Sequence, residues 1–181
     1  MGLTVILGGA RSGKSAFAVE SGAAHDGKVI YVATAPDSDK DMADRIDRHR
    51  TERPSDWTTI EEQLDLSGAL NTTGEALVII DCLTLWTSNL MWKGSTDDEI
   101  HAIAERTARG AAERSAPTIA ISNEVGMGVH PNTALGRRYR DVLGRVNQLW
   151  VAASASSLLL IAGRAIELRD PWDHLAEKPL R

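Results

Sequence analysis

Five short runs, LTVIL (3–7), KVIYVA (28–33), ALVIID (76–81), PTIAIS (117–122) and SLLLIA (157–162), are apolar almost throughout. A strand with one wet face alternates apolar and polar residues, whereas a parallel strand covered by helices on both faces is free of that constraint. Segments of helical period lie between the runs, at 14–24, 40–52, 97–114 and 134–154, with a shorter helix expected near 84–92. This alternation specifies an α/β architecture, a doubly wound and mostly parallel sheet with helices on both faces. With 181 residues, 43% of them hydrophobic, the chain has material for one sizeable core. Residues 1–168 are therefore expected to form one domain, and RDPWDHLAEKPLR (169–181) a peripheral C-terminal tail.

The first run leads directly into GGARSGKS (8–15), which fits G-x-x-x-x-G-K-[ST] at Gly8, Gly13, Lys14 and Ser15, with Gly9, Ala10, Arg11 and Ser12 between them. Strand, glycine loop and helix follow in the order a P-loop requires. Glycines let successive backbone N–H groups aim inward at phosphate oxygens, and the helix N-terminus adds its positive end. Lys14 then neutralises the β- and γ-phosphates of a nucleoside triphosphate, and the Ser15 hydroxyl ligates Mg²⁺. Such a metal needs a second acidic anchor, and Asp81, closing the run ALVIID, stands where a parallel strand reaches the ligand crevice. The alternative at Asp81 is an N-cap for the following helix. Asn123 and Glu124 follow the fourth run at the same edge. Glu124 is a candidate base for a hydroxyl or a further magnesium contact, against the alternative of a loop residue capping the next turn. In the last long helix Leu135, Tyr139, Val142, Val146 and Leu149 read as the core stripe, with Arg138, Asp141 and Arg145 on another face.

Composition removes several function classes. Acidic residues outnumber Lys and Arg by 25 to 20, for a net charge of −5, so there is no global electrostatic case for a nucleic-acid partner. The single cysteine, Cys82, excludes an intramolecular disulfide framework and fits a reducing compartment, which makes the cytoplasm the expected location. Beside Asp81 it reads as a small buried filler and not as a nucleophile. LTVIL is too short for a signal-peptide core, and no run approaches the roughly 18 apolar residues of a membrane span.

RIDRHRTERP (45–54) sets one histidine among arginines. On a helix over 40–52, Met42, Ile46, His49 and Arg53 fall on one stripe, with Arg45 and Arg53 one turn either side of the histidine. Nearby positive charge disfavours imidazolium, which keeps a ring available as a nucleophile, and the same arginines suit phosphate oxygens. From the residues alone, His49 reads either as a nucleophile toward phosphorus or as a solvated boundary residue.

GGARSGKS, YVATA (31–35), DMADRIDRHRTERPSDW (41–57), DCLTLWTSNL (81–90), NEVGMGVHPNTALGRRYRDVLGRVNQ (123–148) and AGRAIEL (162–168) together resemble the bifunctional adenosylcobinamide kinase and adenosylcobinamide-phosphate guanylyltransferase family. NEVGMG with the arginine-rich stretch that follows it, and R-x-x-x-H-x-x-x-R, are much more specific than the glycine loop. The resemblance implies a P-loop NTPase fold related to recombinase-type ATPases and two reactions: phosphorylation of adenosylcobinamide by ATP or GTP, then transfer of GMP from GTP to that phosphate. It implies that His49 is the guanylylated residue, with Arg45 and Arg53 as candidate phosphate ligands, and that the chain is a homo-oligomer, a trimer. One position departs from the family's pattern: Val19 stands where a glutamate is common on the helix after the loop, and Glu20 comes one residue later, about 100° around the helix. Two other readings are open to the bare sequence, a P-loop kinase for another small alcohol and a non-enzymatic nucleotide-dependent switch.

Overall fold

The computed structural model describes residues 2–35 and 54–173. The helix expected over 40–52, with Arg45, His49 and Arg53, lies outside the described residues. Seven strands, β1 (Leu3–Gly8), β2 (Val29–Ala33), β3 (Thr58–Glu61), β4 (Leu77–Asp81), β5 (Thr118–Ile121), β6 (Ser156–Ile161) and β7 (Arg164–Glu167), form one sheet in the order β3-β2-β4-β5-β1-β6-β7. Every neighbouring pair is parallel except β6 and β7, which form an antiparallel hairpin. The described helices are α1 (Lys14–Ala23), α2 (Leu66–Asn71), α3 (Leu83–Trp92), α4 (Asp97–Glu113) and α5 (Ala134–Ala153).

Continuous apolar runs give the sheet two buried faces. Leu3, Val5, Leu7, Val78 and Ile80 join the core that includes Leu66, Trp86, Ile100 and Trp150 from α2 to α5. Ile6, Tyr31, Leu77 and Ile79 alternate with them onto the opposite face, where Ala18 of α1 packs. Trp86 and Trp150 are fully buried and meet edge to face, ring centroids 6.3 Å apart, a geometry that suits the quadrupoles of two indoles. α4 begins with a capping box: the Thr96 side chain accepts from Glu99 N while the Glu99 carboxylate accepts from Thr96 N at 2.8 Å.

Two details differ from the expectation. β3, β7 and α2 are additional elements. In α5 the buried stripe is Val142, Leu143, Val146, Asn147 and Trp150, while Leu135 is 59% exposed in the first turn. The charged face of α5 carries a partly exposed salt bridge, with Arg138 Nε donating to Asp97 of α4 at 2.7 Å.

The two ends of the sheet are built differently. At the entrance to β4 and β5, Arg114 donates to four acceptors, Gly74 O, Ala76 O, Pro117 O and Thr118 Oγ1, and so ties the strand starts together. At the opposite end the neighbouring strands β4, β5 and β1 finish side by side, releasing Asp81, Ser122–Glu124 and the glycine loop into one crevice.

Candidate active site

The loop 8–13 is shaped by contacts that its residue types alone permit. A Cβ on Gly8 would stand 2.4 Å from Leu160 O and 2.7 Å from Ser12 Oγ, so only glycine passes there without moving backbone. Gly13, at φ 101°, is the N-cap of α1 and carries no side-chain cap, leaving the first N–H groups of the helix directed at the crevice. The turn of the β6–β7 hairpin backs the loop, with Gly163 N donating to Ser12 O at 2.9 Å.

Lys14 is buried, and a buried ammonium needs acceptors. Its Nζ donates to Gly9 O at 2.6 Å and to Ser12 Oγ at 3.3 Å, which draws it across the mouth of its own loop. Ser15, next along α1, donates from Oγ to Asp81 Oδ2 at 3.3 Å. The N-cap of α3 is Cys82, not Asp81, so the capping alternative for Asp81 does not hold. The carboxylate of Asp81 instead accepts from Ser15 and from the phenol of Tyr31.

Thr34 fastens the turn after Asp81: its Oγ1 donates to Cys82 O and accepts from Cys82 N, both at 2.7 Å. Asn89 of α3 donates to Thr34 O at 2.9 Å. The Cys82 thiol is pushed up from its ordinary 9.0 to about 12, first by burial and then by the charge of Asp81. That is the chemistry of a filler.

Across the crevice Glu124 N donates to Gly8 O at 3.2 Å, joining the segment after β5 to the end of β1. The half-buried Glu124 carboxylate accepts from Gly126 N, within its own loop. The backbone before it is held from both sides: Asn123 N donates to Thr84 Oγ1 at 2.8 Å, and Asn123 O accepts from Asn147 Nδ2 at 3.0 Å. Asn147 also accepts from Ser122 Oγ at 2.6 Å. Tyr139 donates to Thr84 O at 3.1 Å, and burial holds its phenol above the usual range, so it remains a donor.

The structure thus brings Lys14, Ser15 and Asp81 into one cluster and sets Glu124 at its rim. The residues that position them, Tyr31, Thr34, Thr84 and Asn147, were not read as such from the sequence. Buried polar side chains in otherwise apolar stretches were the available signal. On α1, Val19 packs against the core and Glu20 is exposed, as the one-residue offset implied.

Comparison with known proteins places the chain in a family. Over 169 residues the chain is 39% identical to the bifunctional adenosylcobalamin biosynthesis protein CobP of Pseudomonas aeruginosa, covering 91% of this chain and 96% of that protein. It is 32% identical to the bifunctional adenosylcobalamin biosynthesis protein CobU of Escherichia coli over 181 residues, covering 92% of this chain and 99% of that one. Among solved structures it aligns with a prototypical ATPase from the type III secretion system of pathogenic bacteria at a TM-score of 0.59 and 9% identity. That alignment spans 98% of this chain and about half, 54%, of the ATPase, and speaks for the fold alone. The model of the family described as cobinamide kinase / cobinamide phosphate guanyltransferase matches residues 4–168, and the chain belongs to that family.

Proposed function

We propose that the chain phosphorylates adenosylcobinamide with ATP or GTP and then transfers GMP from GTP to the new phosphate, giving adenosylcobinamide-GDP and pyrophosphate through a guanylylated His49. The observation that carries the reading is the cluster of Lys14, Ser15 and Asp81 at one strand edge, in a chain of this family. A hydroxyl and a carboxylate 3.3 Å apart form a hard-oxygen donor pair, which fits Mg²⁺ held by few protein ligands together with phosphates and water. Ser15 and Asp81 are the residues that would hold it, and an ion bound there would supply neutralisation of charge on the phosphate oxygens.

Backbone N–H groups of Gly8, Gly9, Ala10, Arg11, Ser12 and Gly13 cradle the triphosphate, and Lys14 compensates its charge. In the kinase step the aminopropanol oxygen attacks the γ-phosphorus, the bond to the β-phosphate oxygen breaks, and Glu124 takes the hydroxyl proton. In the second step a ring nitrogen of His49 attacks the α-phosphorus and pyrophosphate leaves, with Arg45 and Arg53 meeting the developing negative charge. The cobinamide phosphate oxygen then attacks the phosphoramidate, the P–N bond breaks, and free His49 returns. We assign both steps to one domain, residues 1–168, with 169–181 as a tail, in a cytoplasmic homo-oligomer, a trimer. No helix among the described residues is long and apolar enough to cross a membrane.

Incubation with α-labelled GTP, denaturation and peptide mapping test the covalent step. Label is expected on His49 and absent from His49→Asn, with the adduct labile to acid. Label on another residue, or equal labelling of the Asn variant, removes His49 from the mechanism. Turnover of adenosylcobinamide separates the two-step reading from a kinase for another alcohol or a nucleotide switch.

A further inference from the structure

One carboxylate oxygen of Asp81, Oδ2, serves two hydroxyls that differ in kind. Ser15 reaches it at 3.3 Å from the first turn of α1, directly after the glycine loop where the triphosphate is proposed to bind. The phenol of Tyr31 donates to the same oxygen from a fixed place. Tyr31 lies in the middle of β2, in register with Ile79 of β4, two residues before Asp81, and is 1% exposed in the core on the α1 face. Its backbone is laced to neighbouring strands on both sides, Thr59 of β3 and Ile79 of β4. A buried phenol needs an acceptor, and one that finds a carboxylate makes the stronger, charge-assisted kind of hydrogen bond.

We propose that Tyr31 is a positioning residue for this reaction. Its phenol holds the Asp81 carboxylate in the orientation that receives the metal–nucleotide complex, independently of what the Ser15 hydroxyl is bonded to. The inference rests on the reading of Asp81 as the second anchor of Mg²⁺. A hydrogen bond from a rigidly held donor narrows the rotation of a carboxylate at a strand end, and so lowers the ordering cost met by a ligand that binds there. Tyr31 does that ordering during folding. Partners of this sort, one bond removed from a metal, commonly change metal affinity by about 10- to 100-fold when removed.

The test uses the full chain with Tyr31→Phe, which keeps the ring in the core and removes only the hydroxyl. Mn²⁺ is titrated in the presence of a non-hydrolysable GTP analogue, and free Mn²⁺ is read from its paramagnetic resonance signal. Tyr31→Phe is expected to weaken metal binding about tenfold and to leave metal-free analogue binding unchanged. It should also raise the Mg²⁺ concentration for half-maximal activity while kcat at saturating Mg²⁺ stays near wild type. In the Asp81→Asn background the same substitution should have no further effect on the Mn²⁺ titration. If Asp81→Asn weakens Mn²⁺ binding and Tyr31→Phe does not, Tyr31 only fills the core and the proposal is overturned. Additive effects of the two substitutions overturn it as well, because Tyr31 would then act without Asp81. If Asp81→Asn itself binds Mn²⁺ as wild type does, the metal reading of Asp81 falls first and takes this inference with it.

Discussion

Asp81 and Cys82 are adjacent, yet their surroundings give them opposite chemistry. Asp81 faces hydroxyl donors at the crevice, while Cys82 is buried behind it and is held neutral by burial and by the charge of its neighbour. A thiol whose pKa is about 12 presents only about one thiolate in ten thousand at pH 8, and the thiolate is the reactive form. Folded protein at pH 8 is expected to react with a maleimide orders of magnitude more slowly than protein in guanidinium chloride, with one equivalent taken up only after unfolding. Equal rates would show Cys82 to be an accessible thiolate. The sign of the pH effect follows. The folded value lies above the unfolded one, so the stability associated with the neutral thiol is fully present below its ordinary value of 9.0. It is lost as pH rises from there toward 12. The same reasoning separates Val19 from Glu20, where one residue of helical rotation puts the carboxylate in solvent and a valine against the core.

Among the elements, the β6–β7 hairpin turns through Ala162 and Gly163, both left-handed at φ 50° and 73°. Two consecutive positive φ values in a two-residue loop define the type I′ turn, whose preferred sequence is Asn-Gly. Alanine is strained there, at a cost of about 1 kcal/mol, which asparagine relieves. Ala162→Asn should therefore add about 1 kcal/mol of stability, seen as a raised midpoint of chemical unfolding with an unchanged slope, and an unchanged or lowered midpoint would contradict the turn assignment. This turn also explains why β7 was not legible. Ala-Gly is a weak hairpin signal, and RAIE is exposed at all four positions on the sheet edge, so it carries no apolar run. β3, TTIE, lies at the other edge with no buried position, and α2 has only six residues. Four of the five legible strands, β1, β2, β4 and β5, are buried along most of their length, and burial is what makes a run continuously apolar; β6 is legible by its apolar run although only Ser157 and Leu160 in it are buried. In α5 the stripe fails at its start and omits one buried polar residue, for a related reason. Leu135 belongs to a first turn that is exposed, and Asn147 is buried because Ser122 and Asn123 satisfy its amide. At the candidate site, GGARSGKS could be singled out because a P-loop motif restricts residue type at fixed spacing, and Asp81 because an acid closing an apolar run marks the end of a buried strand. Tyr31 and Thr34 were not, since their work depends on which strands become neighbours.

At the scale of the whole molecule, two phosphorus centres of a triphosphate have to be attacked with one glycine loop available to hold it. β4, β5 and β1 end side by side, so Lys14, Ser15, Asp81 and Glu124 lie toward one end of the central strands, while Arg114 braces the other end. If a single loop positions the nucleotide for both steps, substitutions divide into two classes. Lys14→Ala should remove both activities, because loss of a preorganised cation commonly costs orders of magnitude in rate. Lys14→Met, which retains the apolar stem of a buried side chain, should do the same with a melting temperature close to wild type. His49→Asn should lose only the transfer of GMP and continue to convert adenosylcobinamide to its phosphate. The measurement is product analysis with γ-labelled ATP and α-labelled GTP in parallel on each variant. Retention of GMP transfer by Lys14→Met would place the second reaction at a different nucleotide site. Loss of phosphorylation in His49→Asn would mean that the histidine serves both steps and that the two reactions are not separable by residue.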